Sequence, residues 1–546
     1  MVSYRQAYES FDIGVETKFL NGSLENGLNA CVECCDRHMG SHLPALFWEG
    51  QDGRSLTYTF EQLSALSAKF AHSLVELGVK PGDRVAGLLP RIPELLITIL
   101  GTWRAGAVYQ PLFTAFGSKA IEHRINESGA KIIVTDANNR PKLADVSHSA
   151  RIVTVSAIDG GSTEAGDIDF RTDLERQPSV FEPILRSGND PFLMMFTSGT
   201  TGTAKALEVP LRAIMAFTGY MRHAIDLTPE DNFWNIADPG WAYGLYYAVT
   251  GPLALGHSTL FYEGGFNVES LVRVIQKYDV TNLAGSPTAF RLVIAAGADT
   301  VAPIKGQLRV VSSAGEPLNP EVIRWFAEHL DTVIHDHYGQ TELGMVLCNH
   351  HALTHTVHEG SAGFAVPGHR VVIVDEEDQE QPSGIPGNLA VDRTQSPLLW
   401  FTGYRHRDTP SLGDVYYITG DTAELNEDGS ISFVGRSDDV ITSSGYRIGP
   451  FEVESALIEH PAVMEAAVIG KPDPERTEIV KAFVVLHAAE FPTDELVEAL
   501  KQHVRRRMST HSYPREIEFI DALPKTPSGK IQRFILRNQE IAKMTT

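Results

Sequence analysis

Cysteine is scarce in this chain, four in 546 residues, too few for a disulfide framework at this length, so a reducing compartment is expected. Basic residues are also in deficit. Lys and Arg number 46 against 69 Asp and Glu, and the net charge of -23 argues against general affinity for nucleic acid or anionic membrane surfaces. The opening MVSYRQAYESF lacks the basic start and apolar core of a signal peptide. The longest apolar run near the start, residues 95–103, stops at Arg104, too short to cross a bilayer. A cytoplasmic protein is the expectation, and with 43% apolar residues it has enough material for two or more domains.

Between about 45 and 290, short apolar runs alternate with amphipathic stretches. Residues 60–77 read as a helix, and after the turn Pro81-Gly82-Asp83 residues 84–89 read as a strand, which predicts α/β architecture. Residues 155–190 are polar and read as surface structure. From about 370 the texture changes to short strands with hairpin signals, such as Asp428-Gly429 between two alternating segments, which predicts a small β-rich subdomain. After residue 436 a third texture follows: a helix behind Gly449-Pro450, strands near 465–470 and 479–486, and a helix near 494–508. The expected division is a large N-terminal domain, 1–436, and a small α+β domain, 437–546.

The most distinctive stretch is TSGTTGTAK, residues 197–205, directly after the apolar run Phe192–Phe196. Glycines permit close backbone approach, hydroxyls donate hydrogen bonds and Lys205 brings positive charge, a combination suited to phosphate. It lacks the P-loop pattern: Thr203, not a lysine, follows Gly202, and Ala206, not a metal-binding hydroxyl, follows Lys205. A polar turn after a strand would read the same way, so the rest of the chain has to decide.

Tyr338-Gly-Gln-Thr-Glu342 sets a hydroxyl beside a carboxylate that could hold Mg²⁺ against a phosphate, although a Thr-Glu pair also suits a helix start. Asp421, at the end of Tyr417-Ile-Thr-Gly-Asp421, could accept from both ribose hydroxyls, and Arg436 and Arg447 follow in glycine-rich contexts; exposed ion pairs are the plainer account. Lys530, in PKTPSGKIQR, could be presented by a Ser-Gly turn at a fixed place. Two metal patterns compete: Cys348, His351, His355 and His358 at ligand-like spacing, and Cys31, Cys34 and Cys35, whose setting in an expected helix suits core packing better.

Taken in order, TSGTTGTAK, Gly315-Glu316-Pro317, Tyr338–Glu342, Gly420-Asp421, Gly435-Arg436-x-Asp438-Asp439, Ser444-Gly445-Tyr446-Arg447 and Pro527-Ser-Gly-Lys530 resemble the signatures of the adenylate-forming superfamily, most closely its medium-chain acyl-CoA synthetases. The resemblance runs from about 45 to 540. It implies a large adenylation domain of α/β subdomains plus a β-rich subdomain, and a small mobile C-terminal α+β domain. It also implies a two-step reaction: a carboxylic acid attacks the α-phosphate of ATP, releasing pyrophosphate, and the thiol of coenzyme A then displaces AMP. ATP, Mg²⁺, the acid and coenzyme A are the implied ligands, with no nucleic acid or membrane span and a monomer or homodimer as the assembly.

Carried over residue by residue, the resemblance puts Thr197, Ser198, Gly199, Thr200, Thr201, Gly202 and Lys205 on the β- and γ-phosphates. Gly315, Glu316, Pro317, Asp336, His337 and Tyr338 surround adenine, with Gly339 and Gln340 beside them. Thr341 meets the α-phosphate, Glu342 the metal, and Asp421 and Arg436 the ribose. Arg447 meets phosphate during adenylation, and Lys530 bridges the α-phosphate and the attacking carboxylate. Asp438 is the implied hinge, and the thiol channel runs near Ser444, Gly445 and Tyr446, with Arg476 and Arg505 on the coenzyme A phosphates. Ala204 replaces the family's usual proline. Acetate-using members carry a tryptophan where Gly339 stands, so a glycine is expected to leave room for a longer acid, with Trp241 as a pocket wall. The expected activity is an AMP-forming acid:CoA ligase for short- to medium-chain acids, with branched and aromatic acids in range. The alternatives are a stand-alone adenylation enzyme serving a carrier protein, against which Gly240–Leu245 offers no acidic residue for an amino-acid substrate, and a nucleotide-binding regulator without chemistry.

Overall fold

The computed structural model describes residues 2–156, 163–197, 204–443, 446–473, 476–488, 490–508, 512–526 and 530–545. Its first layer is a seven-stranded sheet in which Arg84–Leu88, Val108–Pro111, Ile132–Asp136, Arg151–Val155 and Ile168–Asp169 run parallel. Parallel strands need crossover helices. The helix Phe60–Glu76 starts where expected because Thr59 and Gln62 form a capping box, each side chain satisfying the other's backbone amide. The helix Pro93–Arg104 is buried along nearly its whole length, as its unbroken apolar run requires.

One edge of this sheet is the antiparallel pair Pro191–Thr197 and Lys205–Pro210, with Thr197 opposite Lys205. The expected phosphate loop is the connection of this hairpin, so its two ends are held side by side by the ladder; Ser198, Gly199, Thr200, Thr201 and Gly202 themselves lie outside the described residues.

A second sheet has ten strands. Phe233–Asn235, Asn282–Gly285, Val310–Ala314 and Ile334–Gln340 are parallel. Gly344–Cys348, Ser361–Ala365, Ile431–Arg436, Tyr416–Leu425, Gly387–Asp392 and Val371–Val374 continue it antiparallel. The expected β-rich texture after 370 is therefore the four strands at the far end of a continuous sheet. Its Asp428-Gly429 hairpin forms as read, with Gly429 at φ 88°.

Beyond residue 440 a separate core assembles around Ile441, Val453, Leu457, Val468, Val480, Val484 and Leu500. The helix Pro450–Ile458 begins with proline at its first position, and Thr493 caps Asp494–Arg507. That second helix carries Asp494 and Glu495 in its first turn and Arg505, Arg506 and Arg507 in its last, the arrangement that complements the helix dipole. Among the described residues, no helix is long and apolar enough to cross a membrane.

Candidate active site

Thr341 and Glu342 occupy the turn joining Ile334–Gln340 to Gly344–Cys348, so the Thr-Glu pair opens a β-hairpin and not a helix. Two buried tyrosines brace this turn from Leu245–Thr250: the Tyr246 hydroxyl donates to the Thr341 carbonyl at 2.9 Å, and the Tyr247 hydroxyl accepts from the Met345 amide at 2.8 Å. Glu342 is 5% exposed, and the Tyr404 hydroxyl donates to its Oε1 at 2.7 Å. Burial raises its carboxyl pKa, while Tyr404 and the charges of Lys205 and Lys530 pull it back down. Lys205 Nζ stands 4.7 Å from the centre of the Tyr404 ring. Two lysines from distant parts of the chain thus act on one carboxylate.

The sequence around Gly420 reads as a strand ending in a glycine turn at Asp421, but Tyr416–Leu425 runs through it, with Gly420 at φ 76°. Asp421 lies directly across the ladder from Arg436, whose Nη1 donates to Oδ1 at 3.1 Å. Oδ2 accepts from the Tyr338 hydroxyl at 2.5 Å and from Gln340 Nε2 at 2.8 Å. Side chains of the 338–342 motif and Asp421 are therefore one hydrogen-bonded unit, joining two strands that three others separate in the sheet order. Asp438 lies 3.5 Å from Arg436 Nε through Oδ1, just past the strand end.

Gly315 adopts φ 102°, a conformation favouring glycine, with open space where a Cβ would stand. Glu316 is committed elsewhere, accepting from Thr288 Oγ1 and Arg291 Nη2, both at 2.9 Å. The Leu318 amide, just after Pro317, donates to Asp336 Oδ2 at 3.1 Å and ties the two segments together. Asp336 Oδ1 is enclosed without a partner among the described residues, and burial raises this carboxyl to about 8. His337 pairs Nδ1 with the Tyr220 hydroxyl at 2.7 Å and Nε2 with the Asn349 carbonyl at 3.2 Å; burial holds it down to about 3.

A Cβ on Gly339 would lie 2.2 Å from the Gly344 carbonyl oxygen and 2.8 Å from Met345 Cα. The missing side chain at 339 answers a steric demand of the hairpin, which the reading of an opened acid pocket had not included. Trp241 packs against Phe113 and Phe116, ring centres 5.3 Å away in each case, with its Nε1 enclosed and, among the described residues, unpartnered. Arg447 lies in Tyr446–Ile448, opposite Thr442, while Ser444 and Gly445 are outside the described residues. The Arg476 amide donates to Asp473 Oδ1 at 2.9 Å. Arg505 is exposed at its helix end, its guanidinium 5.7 Å from the Tyr513 ring centre.

The metal pattern in the histidines does not assemble. Cys348 is buried at the end of its strand, His351 Nε2 meets the Val311 carbonyl, His355 meets the His350 backbone and His358 pairs with Asp428. Among the described residues, no cluster of three or more such side chains could hold a metal ion. Cys31, Cys34 and Cys35 are free and buried. A Mg²⁺ ion here would have one protein carboxylate, Glu342, and draw its other ligands from phosphate and water, the habit of a small hard cation. The buried carboxylate, bonded to a tyrosine whose ring Lys205 faces, fits that use.

Two residues escaped sequence reading. Tyr404 joins Glu342 to Lys205, and its only local signal is the aromatic run Trp400-Phe-Thr-Gly-Tyr404. Arg124 is 7% exposed with, among the described residues, no carboxylate partner; it lies 4.1 Å from the Phe116 ring centre and 5.6 Å from that of Phe196, the residue before Thr197. Burial lowers its pKa to about 10. Its neighbour His123 bonds the Ala204 carbonyl at 2.8 Å, so the helix Ser118–Ser128, which carries both residues, buttresses the end of the 197–205 connection.

Comparison with known proteins agrees with this geometry. The profile of the AMP-binding enzyme family matches residues 35–404, and that of the AMP-binding enzyme C-terminal domain matches 452–530. An acetyl-coenzyme A synthetase of Bacillus subtilis is 37% identical over 552 residues, covering 99% of this chain and 95% of its own. A mitochondrial acyl-coenzyme A synthetase of Homo sapiens is 36% identical over 513 residues, covering 92% and 87%. The crystal structure of an acyl-CoA synthetase of Brucella canis shares 58% identity at a TM-score of 0.82, covering all of both chains. That of the anthranilate CoA ligase AuaEII with anthranoyl-AMP shares 26% at 0.86, covering 95% and 98%. With the family profile spanning well over half of its length, the chain belongs to the AMP-binding enzymes and, among them, to the acyl-CoA synthetases of the adenylate-forming superfamily.

Proposed function

We propose that this chain is an ATP-dependent, AMP-forming carboxylic acid:CoA ligase acting on short- to medium-chain acids, with branched and aromatic acids in range. The observation that carries the reading is buried Glu342 bonded to Tyr404, with Lys205 over the Tyr404 ring, on a hairpin whose Tyr338 and Gln340 bond the Asp421 that pairs with Arg436. A carboxylate is a poor electrophile, and joining its oxygen to AMP makes that oxygen a good leaving group. The developing charge on the attacked α-phosphate calls for fixed cations and donors. Lys530 supplies that charge, Thr341 donates to the α-phosphate, and Lys205 with the 197–203 backbone holds the phosphates that leave as pyrophosphate. Mg²⁺, held through Glu342, neutralises phosphate charge when bound.

Asp421 accepts from the ribose hydroxyls with Arg436 at its back, and Arg447 meets phosphate during adenylation. The segment 315–317 and residues 336–338 line the base, where Asp336, kept neutral by its surroundings, can donate or accept. In the second half-reaction the C-terminal domain, 437–546, turns at Asp438, withdraws Lys530 and opens a thiol path near Ser444–Tyr446, with Arg476 and Arg505 for coenzyme A phosphates. Trp241 and the backbone of Gly339, whose side-chain direction is filled by the hairpin, border the acid. The test is mass-spectrometric product analysis with Mg-ATP and acids from acetate to decanoate plus benzoate, with and without coenzyme A. Acyl-CoA and AMP appearing only with coenzyme A support the ligase. Adenylate and pyrophosphate without thioester overturn it in favour of carrier-protein loading, and no pyrophosphate at all leaves a nucleotide-binding regulator.

A further inference from the structure

We propose that Arg537 is a positioning residue for Lys530, acting through Asp439 to hold the hairpin that carries the lysine; the inference rests on the ligase reading above. Lys530 lies beside Ile531, which forms an antiparallel bridge with Lys525 at the base of a short hairpin. The Lys530 amide donates to Thr526 Oγ1 at 3.1 Å, and the Lys530 carbonyl accepts from the Thr526 amide at 2.8 Å. The Gln532 amide returns to the Pro524 carbonyl at 2.8 Å, and the helix Arg533–Thr545 starts at the next residue. The lysine and the first turn of this helix are therefore one mechanical piece.

That piece is tied down by two arginines one helical turn apart, on the same helix face. Arg533 is spent on Glu454, donating to Oε1 at 2.8 and 3.0 Å and to Oε2 at 2.7 Å, with its Nη1 3.7 Å from Asp439 Oδ2. Arg537 Nη2 donates to Asp439 Oδ1 at 2.9 Å. Asp439 is fixed in turn, because its amide and that of Val440 both donate to the Arg436 carbonyl, and Arg436 is the residue bonded to Asp421. A continuous line of contacts thus runs from Asp421 through Arg436 and Asp439 to Arg537 and the lysine hairpin. The influence of Lys530 on Glu342 agrees with the hairpin being held toward the site.

The two arginines differ in consequence. Arg533 neutralises a buried glutamate, so its loss threatens the domain, whereas Arg537 is a quarter exposed and its loss leaves Asp439 still facing Arg533. A partly exposed pair of this kind adds little to stability. It can still matter to rate, since small displacements of a catalytic group are costly.

The experiment compares wild type, Arg537→Gln, Arg537→Lys, Lys530→Ala and the Lys530→Ala/Arg537→Gln double variant. Each half-reaction is assayed separately: ATP–pyrophosphate exchange with the acid that wild type uses best, and thioester formation from supplied acyl-adenylate. Arg537→Gln is expected to slow exchange about tenfold, with thioester formation within about twofold of wild type and Arg537→Lys restoring most of the exchange. On the Lys530→Ala background it is expected to cost nothing further, because a residue that acts only through Lys530 has nothing left to position. Equal loss in both half-reactions, or a full additional loss in the double variant, would overturn the proposal. Wild type is measured first: exchange with none of the acids sinks the ligase reading itself, whereas exchange in wild type without the split in Arg537→Gln sinks the positioning role alone.

Discussion

Gly339→Ala is the smallest change that separates two accounts of the site. A methyl group at 339 would sit 2.2 Å from the Gly344 carbonyl oxygen, about 1 Å inside ordinary van der Waals contact, and the obstructing atoms are backbone. No rotamer relieves this, so the two hairpin strands have to part near a position where their register already shifts. Overpacking of this kind costs about 1 to 3 kcal/mol. The turn that moves carries Thr341 and Glu342, and a displacement of about 1 Å at reacting groups can cost about a hundredfold in rate. Gly339→Ala is therefore expected to lower adenylate formation about 10- to 100-fold for every acid alike, with a melting temperature lower by a few degrees. The assay is ATP–pyrophosphate exchange over acetate, butyrate, hexanoate, octanoate and benzoate, beside a thermal melt. Near-normal activity combined with a preference shifted to shorter acids would refute the steric argument and show that position 339 opens onto the acid. Gly339→Trp, the change suggested by acetate-using relatives, is expected to disable this hairpin unless its backbone is redesigned around the ring.

Lys530→Ala is expected to suppress adenylate formation about 100- to 1000-fold while sparing thioester synthesis from supplied adenylate; equal loss of both steps, measured as separate half-reactions, would remove Lys530 from its assigned role. Asp421→Asn weakens the acceptor shared by Tyr338, Gln340 and Arg436, and is expected to raise KM for ATP about tenfold with a smaller effect on KM for the acid, read from initial rates of AMP formation. His337, His350 and His369 are at most 2% exposed, and burial holds all three below the usual imidazole range, His337 to about 3 and His369 to about 4. Below about pH 6.5 the unfolded chain binds a proton on each and the folded chain does not, so stability falls with pH by up to about 1.4 kcal/mol per unit per histidine. His350→Phe should remove one such increment from the loss of stability between pH 6 and pH 5, measured by urea unfolding; a pH dependence identical to wild type would show that His350 titrates freely in the fold.

Much of the local structure was legible because its causes are local. The helical pattern from Phe60, the proline at position 450 and the Asp428-Gly429 turn each placed an element boundary within a few residues. For Thr341 and Glu342 a helix start stood as the plainer alternative because the pair suits a cap in isolation; pairing of the strands on either side makes it a hairpin turn. The regularly spaced Cys348, His351, His355 and His358 looked like ligands, yet the chain leaves the strand after Cys348 and sends each histidine to a different partner. Spacing along a chain sets direction only within a regular element, and this stretch is not one.

By itself the sequence determined which chemistry is available: glycines where backbone must approach a ligand, a lysine at each end of the machinery, and a carboxylate in each of two motifs. Those are properties of residue type and neighbouring residues, and they survive without coordinates. Only the tertiary structure decided which of these groups meet. Asp421 faces Arg436 because two strands pair in one register, Tyr404 reaches Glu342 across 62 residues, and Gly339 is required by a carbonyl oxygen five positions away. Such contacts come from sheet register and packing between segments far apart in the chain, which no window of sequence contains.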